Sequence, residues 1–223
     1  MKKILTVIVL FVAFSSCKKS SETTLIVPNT SYSPVNVGST WVYVRNSSDS
    51  VYKDSIYKFT ATDSTVAFGD TVYAVVNSSA GGDIYYAAID TGYFRRGSLL
   101  SSLGIPELST YSEFYLPKKL IKNATWANHI TVKYLGNTIP VTIAYTLSGT
   151  ADALSVLGNS FSNVAHVSAN FSGSYSGYNI SLGSGDFYYA QGIGLIRFNL
   201  TTVDFTTGKS TTNTFKLKSY TIK

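Results

Sequence analysis

The stretch Ile139-Pro140-Val141-Thr142-Ile143-Ala144-Tyr145-Thr146-Leu147 decides the fold class. Ile139, Val141, Ile143, Tyr145 and Leu147 occupy every second position, with Pro140, Thr142, Ala144 and Thr146 between them. A period of two puts the apolar set on one face of a β-strand, whereas a helix would need a period of about 3.6. Pro140 has no amide donor, so it favours a strand end or a sheet edge. Phe215-Lys216-Leu217-Lys218 alternates in the same way near the C-terminus.

The rest of the chain agrees with this stretch. Charged residues make up 13% of it, there are 17 Tyr, and Glu occurs only as Glu22, Glu107 and Glu113. Good helix formers are therefore thin, and strand formers are plentiful. Further strands are expected over 40–46, 51–61, 71–77, 83–89, 129–135, 161–170, 186–190 and 193–200. Turn signals at Phe68-Gly69-Asp70, Ala80-Gly81-Gly82, Gly136-Asn137, Gly158-Asn159 and Thr207-Gly208-Lys209 separate them. The pattern predicts an all-β fold, a twisted antiparallel sheet that is curved or partly closed. At most one short helix is expected, between Gly97 and Tyr111, where Leu99, Leu100, Leu103 and Leu108 have rough helical spacing and Pro106 interrupts it.

Two halves of the chain carry the same markers in the same order. The first has Gly38-Ser39-Thr40-Trp41, then Gly69-Asp70-Thr71-Val72, then Asp83-Ile84-Tyr85-Tyr86-Ala87, then Gly92-Tyr93-Phe94-Arg95. The second has Asn123-Ala124-Thr125-Trp126, then Gly158-Asn159-Ser160-Phe161, then Asp186-Phe187-Tyr188-Tyr189-Ala190, then Gly194-Leu195-Ile196-Arg197. This predicts a single domain over 37–223 built from pseudo-repeats at about 37–96 and 118–200, joined by 97–117, with a C-terminal strand to 223. Neither half is expected to close alone. A Ser/Gly-rich hairpin around Ser172 to Ser184 lengthens the second half. Residues 17–36, with Lys18-Lys19, Pro28 and Pro34, are expected to be an extended tether whose 18–34 stretch makes no contacts with the fold.

The N-terminus has the parts of an export signal: Lys2 and Lys3, an apolar run from Ile4 to Phe14, then Ser15-Ser16-Cys17. The run is well short of the roughly 20 residues of a spanning helix. Cys17 is the only cysteine. The segment resembles the bacterial lipobox, with Phe14 where the usual leucine stands. That resemblance implies a signal peptide over 1–16, cleavage after Ser16 and lipidation of Cys17, a palmitate-type anchor. The Gly38-Ser39-Thr40-Trp41-Val42-Tyr43 entry, the segment Tyr188 to Arg197 and the closing Leu217-Lys218-Ser219-Tyr220 are similar to small outer-membrane lipoproteins of Bacteroidota. The resemblance implies lipid anchoring at the outer membrane, on its periplasmic or cell-surface face, and brings no established activity with it.

Few residues suggest chemistry. The full chain carries a net charge of +6, which falls to +4 when Lys2 and Lys3 leave with the signal. The remaining cations are scattered, with pairs at Lys18-Lys19, Arg95-Arg96 and Lys118-Lys119, and read as solvated surface rather than a nucleic-acid footprint. His129 and His166 are the only histidines, both in expected strands. Gly173-Ser174-Tyr175-Ser176-Gly177 has tyrosine where a nucleophile elbow needs serine. Glu107 and Glu113 lie in the connector and read as exposed charge rather than a glycosidase pair. Gly183-Ser184-Gly185 lacks the third glycine and the helix of a phosphate cradle. Tyr85, Tyr86, Tyr175, Tyr178, Tyr188, Tyr189, Trp41 and Trp126 read as packing before a sugar- or lipid-binding face. No catalytic residue, metal site or cofactor is expected.

Asp49-Ser50, Asp54-Ser55, Asp63-Ser64 and Asp70-Thr71 form one further pattern, each followed by an aliphatic residue or threonine. It is similar to the acceptor sequence of general O-glycosylation in Bacteroidota, which implies glycans on Ser50, Ser55, Ser64 and Thr71. The same dipeptides also start turns before strands, and both readings stand. The expected function is a non-enzymatic structural or binding lipoprotein of the cell envelope, held to the membrane by its lipid and meeting an envelope protein, a glycan or an apolar ligand. The alternative is a periplasmic carrier with an apolar cavity inside the curved sheet.

Overall fold

The computed structural model describes residues 31–48, 55–97, 110–134, 137–203 and 207–223. Cys17, Ser50 and Glu107 lie outside them, as does most of the stretch expected to hold a short helix. The described residues form twelve strands and no helix. In chain order these are β1 (Thr40–Ser47), β2 (Ser55–Phe68), β3 (Thr71–Ser78), β4 (Asp83–Ala88), β5 (Gly92–Gly97) and β6 (Glu113–Pro117). They continue as β7 (Thr125–Tyr134), β8 (Asn137–Val156), β9 (Asn159–Tyr175), β10 (Tyr178–Ala190), β11 (Gly194–Val203) and β12 (Ser210–Thr221).

All twelve belong to one sheet, in the order β6-β5-β4-β3-β2-β1-β12-β11-β10-β9-β8-β7. The first six form one antiparallel meander and the last six another, and β1 pairs with β12 to join them. Trp41 lies on the first strand of its meander and Trp126 on the first strand of the other; Tyr85 and Tyr188 lie on the fourth strands, Arg95 and Arg197 on the fifth. β6 falls inside the connector and was not expected, because Glu113-Phe114-Tyr115-Leu116-Pro117 is too short to show a period.

The sheet curls until its edges meet. Asn128 on β7 donates to the Phe114 carbonyl on β6 at 3.0 Å and accepts from the Phe114 amide at 3.3 Å. The Trp126 indole donates to the same carbonyl at 3.0 Å. Side chains of β7 thus occupy the Phe114 backbone groups of β6, across two edge strands that share no ladder, and the result is a nearly closed barrel. The alternation of β8 is what fills it. Ile139, Val141, Ile143, Tyr145 and Leu147 are each 5% exposed or less, while Pro140 and Ala144 face solvent.

β8 and β9 are longer than their neighbours and bend. The register slips between Leu147 and Gly149, and beyond it the hairpin crosses under the end of the barrel. Its Phe161 meets Tyr220 of β12, and Asn159 donates to the Lys218 carbonyl at 3.4 Å. Val156, Phe161 and Val164 there join Trp41, Ile196 and Leu217 in a second core below the main one.

The tether is shorter than its sequence implies. Tyr32 is 9% exposed, and its hydroxyl donates to the Asn163 carbonyl at 3.1 Å. The Tyr93 hydroxyl accepts from the Tyr32 amide at 3.3 Å, and the Ser31 carbonyl accepts from the Gly192 amide at 2.8 Å. Residues 31–34 are therefore packed rather than free of contacts. Tyr32 stands alone among polar residues, so no periodicity marks it, and an apolar opening at the end of the barrel captures it.

Candidate functional site

Two places concentrate polar chemistry, one inside the barrel and one on its outer wall. The inner one begins with the alternation Tyr93-Phe94-Arg95-Arg96 on β5, which turns Tyr93 and Arg95 inward. Arg95 is 2% exposed and Glu113, its partner across β5 and β6, is 3% exposed. The expectation of solvated charge at both positions is thereby overturned. The guanidinium holds both carboxylate oxygens: Nε to Oε2 at 2.9 Å, Nη2 to Oε1 at 2.7 Å and Nη2 to Oε2 at 2.6 Å. The Tyr145 hydroxyl, from β8 of the other half, donates to Glu113 Oε1. Arg95 also lies over the Tyr115 ring at 5.1 Å, and Tyr115 stacks on Tyr189 at 5.2 Å.

The electrostatics follow from burial. Desolvation opposes the Arg95 charge, but the Glu113 carboxylate and the surrounding phenols outweigh it and hold the guanidinium well above its usual range. Desolvation drives the phenols of Tyr43, Tyr115 and Tyr145 well above theirs, and Tyr189 upward too. The centre bonds β5 and β6 to β8. The inward phase of Arg95 was visible in the alternation, but a basic residue on a β-strand ordinarily signals the outer face.

Beside this centre lies a cavity of about 60 Å³, lined by Tyr32, Val35, Trp41, Tyr43 and Tyr86 as well as Arg95. Arg95 Nη1 has no hydrogen-bond partner. The segment carrying Tyr32, Pro34 and Val35 forms part of the cavity wall.

On the outer wall, His166 of β9 and Asp186 of β10 meet at 2.8 Å. Their side chains are 33% and 45% exposed. His166 stacks on Tyr188 with centroids 4.4 Å apart, and Arg197 covers Tyr188 at 5.2 Å. The nearest hydroxyl by register, Ser168 opposite Asp186, is bonded instead to Ser148 at 3.0 Å. A base and an orienting acid are together, and the nucleophile of a triad is not joined to them. His129 is exposed on β7 and bonds Thr142 at 3.1 Å. No cluster of three metal-ligating side chains occurs among the described residues.

The Asp-Ser/Thr residues are scattered over the first half. Ser64 is exposed, in the irregular stretch of β2 between Ala61 and Thr65; Ser55 and Thr71 are half-buried. Of the tyrosines, Tyr175 and Tyr178 stand out at the β9–β10 hairpin, 42% and 75% exposed, while Tyr189 is buried.

The fold defines a class, a barrel of two six-stranded meanders sealed by side chains. No family model and no curated protein matches the chain. Among solved structures it is similar to a candidate lipoprotein from Parabacteroides distasonis, with a TM-score of 0.52 at 15% identity. That match covers 86% of this chain and 99% of the other. A second match is the hypothetical lipoprotein YmcC from Escherichia coli, with a TM-score of 0.39 and 6% identity over 86% of this chain and 89% of that one. At such identities the first match speaks for the fold alone.

Proposed function

We propose that this chain is a lipoprotein anchored through Cys17 at the outer membrane, and that its barrel is a non-enzymatic structural or binding module of the envelope. The carrying observation is the filled interior. Beside the Arg95–Glu113–Tyr145 centre and the inserted Tyr32 the cavity holds about 60 Å³. Drug-sized ligands need roughly 300 Å³ or more, so a lipid-sized guest does not fit beside this packing. The lipobox-like segment at 1–17 supports the anchor. The similar structure from Parabacteroides distasonis is that of a candidate lipoprotein, which agrees with it.

The alternative is a carrier of an apolar ligand, favoured by the aromatic lining of the cavity and the unpartnered Arg95 Nη1. Native mass spectrometry of protein purified from its own host separates the two. A mass equal to the lipidated polypeptide supports the structural reading. A stoichiometric, extractable small molecule overturns it in favour of the carrier. Fatty-acid labelling of wild type against Cys17→Ala tests the anchor, and equal labelling would end it.

A further inference from the structure

We infer that one end of the barrel is a membrane-docking face, and that its partner is the surface of the bilayer itself. The inference rests on the lipid-anchor reading above only for which membrane lies near; the face is argued from the fold.

In an antiparallel meander, alternate connections share an end. The β2–β3, β4–β5, β6–β7, β8–β9 and β10–β11 connections therefore share the end at which the chain enters β1, because Thr40 pairs with both Thr60 and Thr221 there. The amide of Lys118 donates to the Thr91 carbonyl, so the β6–β7 loop leans on the β4–β5 turn. Turns on a soluble domain are normally polar. Here four of the five connections carry or adjoin an exposed aliphatic residue, Val72 at 61%, Ile89 at 39%, Ile121 at 53% and Leu157 at 50%, with Val37 at 60% on the entry turn, while Ile193 of the β10–β11 turn is half-buried. At the opposite end the described turns read Ser79-Ala80-Gly81-Gly82, Ser176-Gly177 and Thr207-Gly208-Lys209. The exposed apolar residues elsewhere include Ile56 on the wall and the hydroxyl-bearing Tyr175 and Tyr178.

Leu157 supplies an independent argument. It sits at φ 49, a left-handed conformation that suits Asn or Gly and penalises a leucine. Gly158 follows at φ 82, so the pair makes the tight turn that Asn-Gly would make without strain. A strained, solvent-facing leucine at a hairpin tip has no packing reason in the free protein, and insertion into an apolar phase supplies one.

Chain length identifies that phase. Lys118, Lys119, Lys122 and Lys223 are exposed on the same end, and so are Asp63, Asp70, Asp90 and Asp152. Short aliphatic tips among lysines suit the interface of a bilayer. Ser31 lies at this end of the barrel, where its carbonyl accepts from the Gly192 amide, and the chain between Cys17 and Ser31 can span at most about 50 Å when extended. An anchored molecule therefore keeps this face toward the membrane.

The test uses the chain from residue 17 with Cys17→Ser, so that lipidation plays no part. It is sedimented with vesicles of phosphatidylethanolamine and phosphatidylglycerol. The wild-type rim is expected to bind. Leu157→Asn together with Ile121→Ser is expected to weaken partition by about tenfold or more. Leu157→Asn alone is expected to raise the thermal midpoint while lowering binding, a combination that no folding defect produces. Substitution of Tyr178→Ser at the other end should change nothing. No binding by the parent chain, equal binding by the rim variants, or an equal loss with Tyr178→Ser overturns the docking face. Loss of fatty-acid labelling at Cys17 bears on the anchor only and leaves rim binding untouched.

Discussion

Removing the Glu113 carboxylate is the perturbation that most directly tests how the barrel is held together. Glu113→Ala deletes three hydrogen bonds from Arg95 and one from Tyr145. It also leaves a guanidinium that is 2% exposed without a counter-charge. Breaking a buried pair from one side costs about 3–5 kcal/mol, mostly from the stranded charge. For a domain of this size each kcal/mol moves the thermal midpoint by about 2–4 °C, so a fall of roughly 6–20 °C is expected. Whole domains are stable by only about 5–15 kcal/mol, which makes the variant marginal. The triple variant Arg95→Met, Glu113→Leu and Tyr145→Phe roughly keeps the volume and removes the ion pair together with the Tyr145 hydroxyl, leaving the phenols of Tyr86, Tyr115 and Tyr189 in place. It is expected to lie within about 2 kcal/mol of wild type, or above it. Urea unfolding followed by tryptophan fluorescence reads both, since Trp126 stacks on Tyr145 at 5.5 Å. A Glu113→Ala cost under about 1 kcal/mol would show that water reaches Arg95 and that the centre is not sealed. A triple variant as damaged as the sum of its singles would show that the polar geometry, rather than the stranded charge, carries the stability.

High pH should unfold the protein cooperatively. Tyr43, Tyr115, Tyr145 and Tyr189 have folded pKa values raised by burial, so their stabilising contribution is complete below about pH 10 and is lost as pH rises toward the folded values. The tyrosinate absorbance of this buried set should therefore rise with the loss of β-sheet signal, and its appearance near pH 10 with the sheet intact would refute the burial argument. Tyr32→Ala empties the barrel mouth and should cost about 3 kcal/mol, read as a shift of the urea midpoint. A change below about 0.5 kcal/mol would mean that the entry segment packs only loosely. Gly183→Ala should be more severe than its size suggests. At φ 147 a Cβ there would lie 2.1 Å from the Thr201 carbonyl oxygen, and an unchanged thermal midpoint would contradict the β10–β11 register.

Much of the architecture was legible in the chain. Alternation at Ile139–Leu147 specified which face of β8 turns inward, because a one-residue slip would expose all five apolar residues. The two sets of markers fell on strands of the same rank in two meanders because each marks a turn or a strand start, and those are local events. The proposed anchor at Cys17 rests on the sequence alone, since a targeting signal would be read before any folding occurs.

What the sequence could not carry is whatever depends on closure. Glu113 and Arg95 look like ordinary surface charge in one dimension and become a buried pair only because β5 and β6 curl against β8 and β10. Tyr32 looks like part of a tether and becomes part of the core because the barrel leaves an apolar opening beside it. Val37, Val72, Ile89, Ile121 and Leu157 are isolated residues in unrelated turns, and only the meander brings them to one end. Local pattern decides the conformation of each segment, because propensity and period act over a few residues. Burial, partner and face are decided by contacts between segments far apart in the chain, and those come into being only when the sheet closes.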